Sequence, residues 1–176
     1  MATYKVAVTT GDLPFAGTWD LVSVTLLGSE GQSAKTALSA LGFEFSRGKT
    51  KTYTIKNICS LGTLLLLRVE KHPCFIFPED QWYCSKIVVT TPDNSTILFP
   101  CYRWIFRGEP VELRGGKATM VFEDDHQLLI HQRKNELQHR KTVYQWKFYL
   151  DGLPHGYDNE SKPRAEVNST EPRSAT

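Results

Sequence analysis

The sequence predicts an antiparallel β-sandwich followed by a single α-helix. Seven or eight short segments before residue 123 either alternate between apolar and polar residues or are continuously apolar, and glycine and proline separate them. No helical period occurs in this region, which excludes a chain in which helices alternate with strands. Beyond residue 123 a stretch without glycine or proline runs to about residue 146, where we expect the helix.

The composition is that of an ordinary globular domain. The chain has 176 residues, of which 23% are charged and 40% are apolar, and its formal net charge is +2. This length suits one domain with an appendage, and this charge gives no reason to expect a nucleic-acid partner. No apolar run is long enough to cross a membrane, and the N-terminus lacks the apolar region of a signal peptide. We therefore expect a cytoplasmic protein whose four cysteines are free thiols.

The strand-like segments follow one another with recognisable turns between them. The first alternates with period two and precedes a loop at 10–18 that is rich in turn-forming residues. Residues 92–94 predict a hairpin, and the two glycines at 115–116 predict another. The polar stretch 30–42 leaves room for a short strand. The predicted segments are 4–9, 21–27, 43–45 continued at 51–58, 64–71, 82–90, 96–100, 111–114 and 117–122.

An apolar loop follows the most apolar of these segments. Residues 64–71 predict a strand near the middle of a sheet, and two prolines then break it. Between the prolines lie Cys74, Phe75, Ile76 and Phe77, although such a connection normally lies at the surface. If the three larger side chains leave water, the gross gain is about 5 to 9 kcal/mol, enough only for marginal, reversible attachment to a membrane interface. The alternative is that the loop folds back and plugs the open end of the sandwich.

The predicted helix is polar and basic apart from one narrow apolar seam. Asp124 suits the N-cap because Gln127 follows three residues later, and the helix is expected over 126–146. The seam consists of Ile130, Leu137 and Tyr144, which recur every seven residues. It should pack on the sandwich or on a further domain. Residues 155–176 contain almost no apolar side chain and predict a disordered tail.

Several motifs resemble the N-terminal region of animal lipoxygenases. They are AGTWD at 16–20, DQWYC at 80–84 and FPCYRW at 99–104. The sequences QRKNEL at 132–137, YQWK at 144–147 and GLP at 152–154 resemble the linker into the catalytic domain of that family. The resemblance covers roughly residues 3–154 in order.

This resemblance implies a PLAT domain, an eight-stranded β-sandwich that binds membranes, often with calcium, and precedes a helical catalytic domain. It assigns residues 1–122 to the sandwich, 123–154 to a linker helix and 155–176 to a tail. The catalytic domain itself would begin where this sequence ends, so the resemblance implies an accessory domain without its enzyme.

The resemblance also implies a calcium site on the loops at one end of the sandwich. Calcium takes about six to eight oxygen ligands, and many of these can be backbone carbonyls. The matching positions are the carbonyls of Phe15, Gly17 and Gly42 and the side chains of Glu44 and Asp80. Ser39, Ala40 and Ser46 stand where some relatives have acidic or amide ligands, which counts against a tight site. The alternative is that the two acidic residues are ordinary surface carboxylates.

A bound ion at these loops would supply a second attachment beside the apolar loop, because it would bridge to anionic head groups. The predicted membrane-binding residues are Leu13, Phe15, Phe75, Ile76, Phe77 and Trp104. Trp104 is included because tryptophan favours the membrane interface, but it equally suits the core or an interdomain contact. Trp19 and Trp82 are assigned to the core or its rim.

Iron is not expected in this chain. Lipoxygenase chemistry requires non-haem iron held largely by histidines, and His126 and His131 invite comparison because they are five residues apart. Five helical steps rotate the second side chain by about 140°, so an ordinary α-helix does not point both inward. Their surroundings are also polar. Neither a Gly-x-Ser-x-Gly elbow nor a phosphate-binding glycine loop is present.

The expected function is therefore that of a calcium-assisted peripheral membrane and lipid-binding domain without catalytic activity of its own. One alternative is the N-terminal part of an active, arachidonate-type lipoxygenase, an iron dioxygenase of polyunsaturated fatty acids. Another is a protein-interaction module in which the 126–146 helix docks on a lipoxygenase catalytic domain.

Overall fold

Two antiparallel sheets face each other in this protein, which confirms the predicted all-β sandwich. The computed structural model describes residues 2–38, 45–57, 59–74, 78–117 and 119–144. The strands are β1 (Ala2–Thr10), β2 (Leu21–Gly28), β3 (Gly31–Gln32), β4 (Thr36–Ala37), β5 (Thr50–Asn57), β6 (Leu64–His72), β7 (Trp82–Thr90), β8 (Thr96–Ile105) and β9 (Val111–Arg114). One α-helix, α1, spans Gln127–Val143.

The first sheet has the strand order β5-β1-β7-β8, and the second has the order β3-β2-β6-β9 with β4 also paired to β2. Strand β6 lies between β2 and β9, where Val69 pairs with both Val24 and Val111. Its position confirms the expectation from its apolar sequence, since a strand with two neighbours buries more side chains than an edge strand. The turn at 91–95 joins β7 to β8 as predicted, with Asn94 in the left-handed conformation at φ 64°.

The core lies between the two sheets. Val6, Val8, Ile87 and Val89 of the first sheet are at most 1% exposed. The same holds in the second sheet for Val22, Val24, Leu26, Leu67 and Val69. The strand period of two places these residues on the inner faces. Trp82 is fully buried, and its indole Nε1–H donates to Thr10 Oγ1 at 3.1 Å. The rim of the sandwich is therefore tied to its core at the point where β1 ends.

One predicted strand is wrong. The described residues of this segment, 117 and 119–122, do not continue the sheet, and Val121–Glu123 form a single 3₁₀ turn instead. The side chains of Met120, Val121 and Phe122 are 64%, 70% and 85% exposed, so their apolar character does not mark an inner face. The turn at 115–116 consequently ends β9 and joins no hairpin. Gly116 N–H donates to Leu98 O at 2.6 Å, which fixes the chain beside β8 as it leaves the sheet.

The helix begins later than expected, and its N-cap is His126 rather than Asp124. His126 Nδ1 accepts the amide of Leu128 at 3.2 Å. The Asp124 carboxylate is unavailable for capping because Arg114 of β9 and Arg133 of α1 both bind it. These two side-chain hydrogen bonds lower the pKa of Asp124 to about 2. Asp124 therefore clamps the helix to the end of β9.

The apolar seam of α1 does not pack on the sandwich. Ile130, Leu137 and Tyr144 are 43%, 52% and 75% exposed, and Gln132 is the buried residue of the helix. Among the described residues, no helix is both long enough and apolar enough to cross a bilayer. The predicted end of the helix at 145–146 and the predicted tail lie outside the described residues.

Candidate functional site

The loops that follow β1, β6 and β8 meet at one end of the sandwich, which we call the loop end. The register places Thr10 beside Cys84, Trp82 beside Ile105 and Leu21 beside His72, so these strands all reach the same end. Backbone hydrogen bonds hold the first of these loops to its neighbours: Thr18 N donates to Phe45 O before β5 at 3.2 Å, and Tyr83 N of β7 donates to Ala16 O at 3.0 Å. Between them lies a cleft of about 360 Å³.

Four apolar side chains are exposed at the loop end, and we call them the apolar rim. They are Leu13, Phe15, Trp19 and Phe106, with exposed fractions of 40%, 93%, 56% and 43%. Phe15 also has a φ of 60°, a left-handed conformation that is unfavourable for a bulky residue. Phe15, the most exposed of these four side chains, is therefore held in a strained backbone conformation. Backbone strain of this kind is a feature of binding sites.

Asp80 lines this cleft and is already bound on both oxygens. Its Oδ1 accepts the hydroxyl of Thr18 at 2.6 Å, and its Oδ2 accepts the backbone amide of Trp19 at 2.7 Å. The ammonium of Lys71 lies 3.2 Å from Oδ1. This carboxylate therefore fixes the first loop against the end of β6.

Asp20 is almost fully buried beside it. The guanidinium of Arg107 donates twice to its carboxylate, at 2.7 and 2.6 Å, and Lys71 Nζ lies 3.2 Å from its Oδ2. Burial alone would raise the pKa of Asp20, but the hydrogen bonds from Arg107 and the nearby positive charge of Lys71 outweigh it and lower the pKa. We call Asp20, Lys71, Asp80 and Arg107 the ionic cluster.

The ionic cluster also holds both ends of the predicted apolar loop. Cys74 N–H donates to Asp20 at 3.2 Å on one side. On the other side, Arg107 donates from its side chain to Pro78 O at 3.1 Å and from its backbone to Glu79 Oε1 at 2.7 Å. Phe75, Ile76 and Phe77 lie outside the described residues, so their insertion into a membrane stays a prediction.

The structure brings three of the five predicted calcium ligands together. Phe15, Gly17 and Asp80 line the same cleft, whereas Gly42 and Glu44 lie outside the described residues. Within the described part of the chain, no group of three or more histidine, cysteine, aspartate or glutamate side chains is placed to hold a metal ion. The one predicted carboxylate that is described already has an ammonium as its counter-charge. Calcium takes about six to eight oxygens, and among the described donors the Asp80 carboxylate is already engaged by Thr18, Trp19 and Lys71. The complete site stays a prediction, because Gly42 and Glu44 are not described.

The remaining predicted residues have mixed positions. Trp104 lies within β8 rather than on a loop, and its half-buried ring contacts the edge of the Tyr83 ring at a centroid distance of 5.3 Å. His126 caps α1, and His131 Nδ1 lies 3.1 Å from the amide nitrogen of Asn135 on the exposed side of the helix. Neither histidine is part of a metal-ligand group among the residues described.

Sequence reasoning missed two members of the apolar rim. Trp19 was assigned to the core or its rim, and Phe106 was not singled out. The signal for Trp19 was available, since it lies in a turn-rich loop directly before an aspartate. For Phe106 the following Arg107 and Gly108 mark a turn, and Gly108 has a φ of 81°. Large apolar residues on turns are candidates for contact with something other than water.

Comparison with known proteins places this geometry in a family. The PLAT/LH2 domain model matches residues 4–114, which runs from β1 to the last residue of β9. Human hydroperoxide isomerase ALOXE3 is 46% identical over 154 residues, covering 88% of this chain and 22% of the relative. The chain thus spans about a quarter or less of the length of such relatives.

Solved lipoxygenase structures share the same fold. Coral 8R-lipoxygenase, described as activated by calcium through a C2-like domain, matches 86% of this chain and 22% of its own with a TM-score of 0.73 and 26% identity. A calcium-dependent 11R-lipoxygenase matches 88% of this chain and 24% of its own with a TM-score of 0.71 and 27% identity. The similar region is the N-terminal region of animal lipoxygenases in both kinds of comparison. The chain belongs to the PLAT/LH2 domain family.

Proposed function

We propose that this chain is a cytoplasmic, peripheral membrane-binding accessory domain of lipoxygenase type, without catalytic activity of its own. It attaches to membranes through the apolar rim. The observation that carries the proposal is Phe15, which is 93% exposed in a left-handed backbone conformation. Full burial of a phenylalanine side chain gains about 1.5 to 3 kcal/mol. The other three members of the rim lie on the same end and add smaller gains, because they are already partly buried.

We include the apolar loop at 75–77 in this proposal because the residues on either side of it, Cys74 and Pro78, are held near the apolar rim. Cys74 and Pro78 are both bonded to the ionic cluster. The same cluster binds the backbone amide of Trp19, and Phe106 precedes its member Arg107 in the chain. The two described ends of the loop therefore lie beside the apolar rim. Together the rim and the loop exceed the attachment strength of a single apolar contact, which is marginal and reversible.

Calcium assistance stays a prediction. Coral 8R-lipoxygenase is described as activated by calcium and the 11R-lipoxygenase as calcium-dependent, and this supports calcium as the metal to test. In this chain the prediction rests on Glu44 and on the carbonyls of Phe15, Gly17 and Gly42, since Asp80 is engaged by protein donors. The proposed attachment does not depend on it.

Vesicle sedimentation tests the proposal. The wild-type chain is expected to sediment with vesicles of phosphatidylcholine and phosphatidylserine, and Phe15→Asn is expected to reduce partitioning about 10-fold or more, which corresponds to about 1.4 kcal/mol. Asparagine is chosen because it tolerates the left-handed conformation of residue 15. Negligible sedimentation of the wild-type chain in every condition contradicts membrane attachment.

Phe122→Asn is the matched control. Phe122 is 85% exposed, close to the value for Phe15, but it lies beside Asp124 and Arg114 at the start of β6, away from the loop end. Its substitution should leave sedimentation unchanged. Equal losses in the two variants would indicate nonspecific adhesion of exposed aromatic side chains.

A second candidate function is docking on a lipoxygenase catalytic domain through α1. It is favoured by the exposed seam, because a helix with an unpacked apolar stripe has a surface suited to a protein partner. Leu137→Lys should abolish self-association or dye binding of the isolated chain if the seam is such a surface. The alternative that the chain is part of an active lipoxygenase is decided by the mass and iron content of the native protein.

A further inference from the structure

Lys71 is a fully buried cation at the loop end. Its side chain is 0% exposed, and its Nζ lies 3.2 Å from Asp20 Oδ2 and 3.2 Å from Asp80 Oδ1. The two oxygens lie in directions that do not complete a hydrogen bond, so the contact is that of a charge between two carboxylates. A buried charge is stable only when it is paired, which explains why the ammonium is placed between two acids.

The charges of the ionic cluster balance without an added ion. Asp20 and Asp80 carry two negative charges, and Lys71 and Arg107 carry two positive charges. A divalent cation at Asp80 would lie close to the ammonium of Lys71 and would be repelled by its charge. Because Lys71 is covalently part of β6, it is present at the loop end at every calcium concentration.

We propose that Lys71 is the resident cation of the loop end, taking the place of a bound divalent ion and making the organisation of the apolar rim independent of calcium. Two carboxylates from different loops converge on its ammonium, which ties the loop after β1 to the loop after β6. Trp19 is bonded to one of these carboxylates through its backbone amide. What this role of Lys71 implies for lipid attachment rests on the proposed function, whereas what it implies for metal binding does not.

The wild-type chain provides the first test. Thermal unfolding is measured in calcium and in chelator, and vesicle sedimentation is measured in the same two conditions. Because a ligand that binds the folded state raises the melting temperature, an unchanged Tm means that no calcium binds at the tested concentration. We expect the same Tm and the same sedimented fraction in both conditions. A rise in Tm with calcium overturns the proposal. That rise is the result expected if calcium binds at the site predicted from the sequence, which includes Glu44.

Removing the charge provides the second test. Lys71→Gln leaves Asp20 and Asp80 facing each other with one positive charge fewer, so its Tm should fall and calcium should restore part of the loss. Lys86→Gln is the matched control, because Lys86 is an exposed lysine on β7. Its Tm should be unchanged and insensitive to calcium. A folded Lys71→Gln chain that calcium leaves unchanged contradicts Lys71 as the group that occupies the cation position.

The outcomes separate the two proposals. If Lys71→Gln does not fold, the calcium titration of the wild-type chain still decides whether the loop end takes a divalent ion. If the wild-type chain fails to sediment with vesicles, membrane attachment is refuted, and the thermal measurements alone decide the role of Lys71. If the chain sediments equally in calcium and chelator with an unchanged Tm, both proposals are supported.

Discussion

Neutralising Asp124 should release α1 from the sandwich while the sandwich itself stays folded. Asp124 is the acceptor that joins Arg114 at the end of β9 to Arg133 in the second turn of the helix. Arg133 also donates to Thr119 O at 3.2 Å, and Gln132 is the buried residue of the helix. In Asp124→Asn the two guanidiniums lose their shared carboxylate, so the helix loses its principal attachment.

The expected magnitude follows from the pKa of Asp124. The difference between the ordinary value of 3.8 and about 2 corresponds to about 2 kcal/mol, and partial exposure of Arg114 and Arg133 reduces this to about 1 to 2 kcal/mol. The opening equilibrium of α1 should therefore rise about 5- to 30-fold. Because the folded pKa is lowered, this contribution is fully present above pH 3.8 and is lost as the pH falls towards about 2.

Hydrogen exchange of the α1 amides measures this opening directly. Protection should fall in Gln127–Val143 and stay unchanged in β1 and β7. Asp125→Asn is the control, since Asp125 is an exposed neighbour that changes the net charge equally. Unchanged protection of the helix in Asp124→Asn, or an equal loss in the strands, would refute the clamp.

Three further predictions concern the packing of the sandwich and of its helix. Tyr4→Phe leaves the buried amide of Leu61 without its acceptor, which lies at 2.9 Å, and should cost about 1 to 3 kcal/mol in urea unfolding. Gly28→Ala would place a Cβ 2.0 Å from Leu61 O, so soluble yield should fall sharply, whereas Gly115→Ala meets its nearest atom at 3.5 Å and should be tolerated. Leu137→Lys should change the free energy of unfolding by no more than about 0.5 kcal/mol, because its side chain is 52% exposed; a larger loss would mean that the seam packs on the sandwich.

Local sequence patterns predicted the elements whose structure depends on neighbours in the chain. The apolar run at 64–71 became β6 between two other strands, and residues 91–95 became the turn between β7 and β8. Alternation and turn chemistry act over a few residues, so they are visible in the sequence. The strand expected at 117–122 was wrong because apolar residues there face outward, and apolar character alone does not distinguish an inner face from an exposed turn.

The role of Asp124 shows where local reasoning ended. Its position before a helical stretch predicted an N-cap, a contact made within three residues. The structure instead places two arginines, ten positions before it and nine positions after it, against its carboxylate. Two guanidiniums carry a positive charge to the carboxylate, whereas a cap offers it only an uncharged backbone N–H, so the distant partners determine where the carboxylate points.

The sequence by itself determined the fold class, the central strand, the family and the presence of apolar residues on the loop after β6. Only the tertiary structure decided that Asp20 meets Arg107 across 87 positions of sequence and that Lys71 lies between Asp20 and Asp80. The reason is physical. Strand periods and turns are fixed by neighbouring residues, whereas a buried charge is stabilised by whichever opposite charges the folded chain brings within about 4 Å of it.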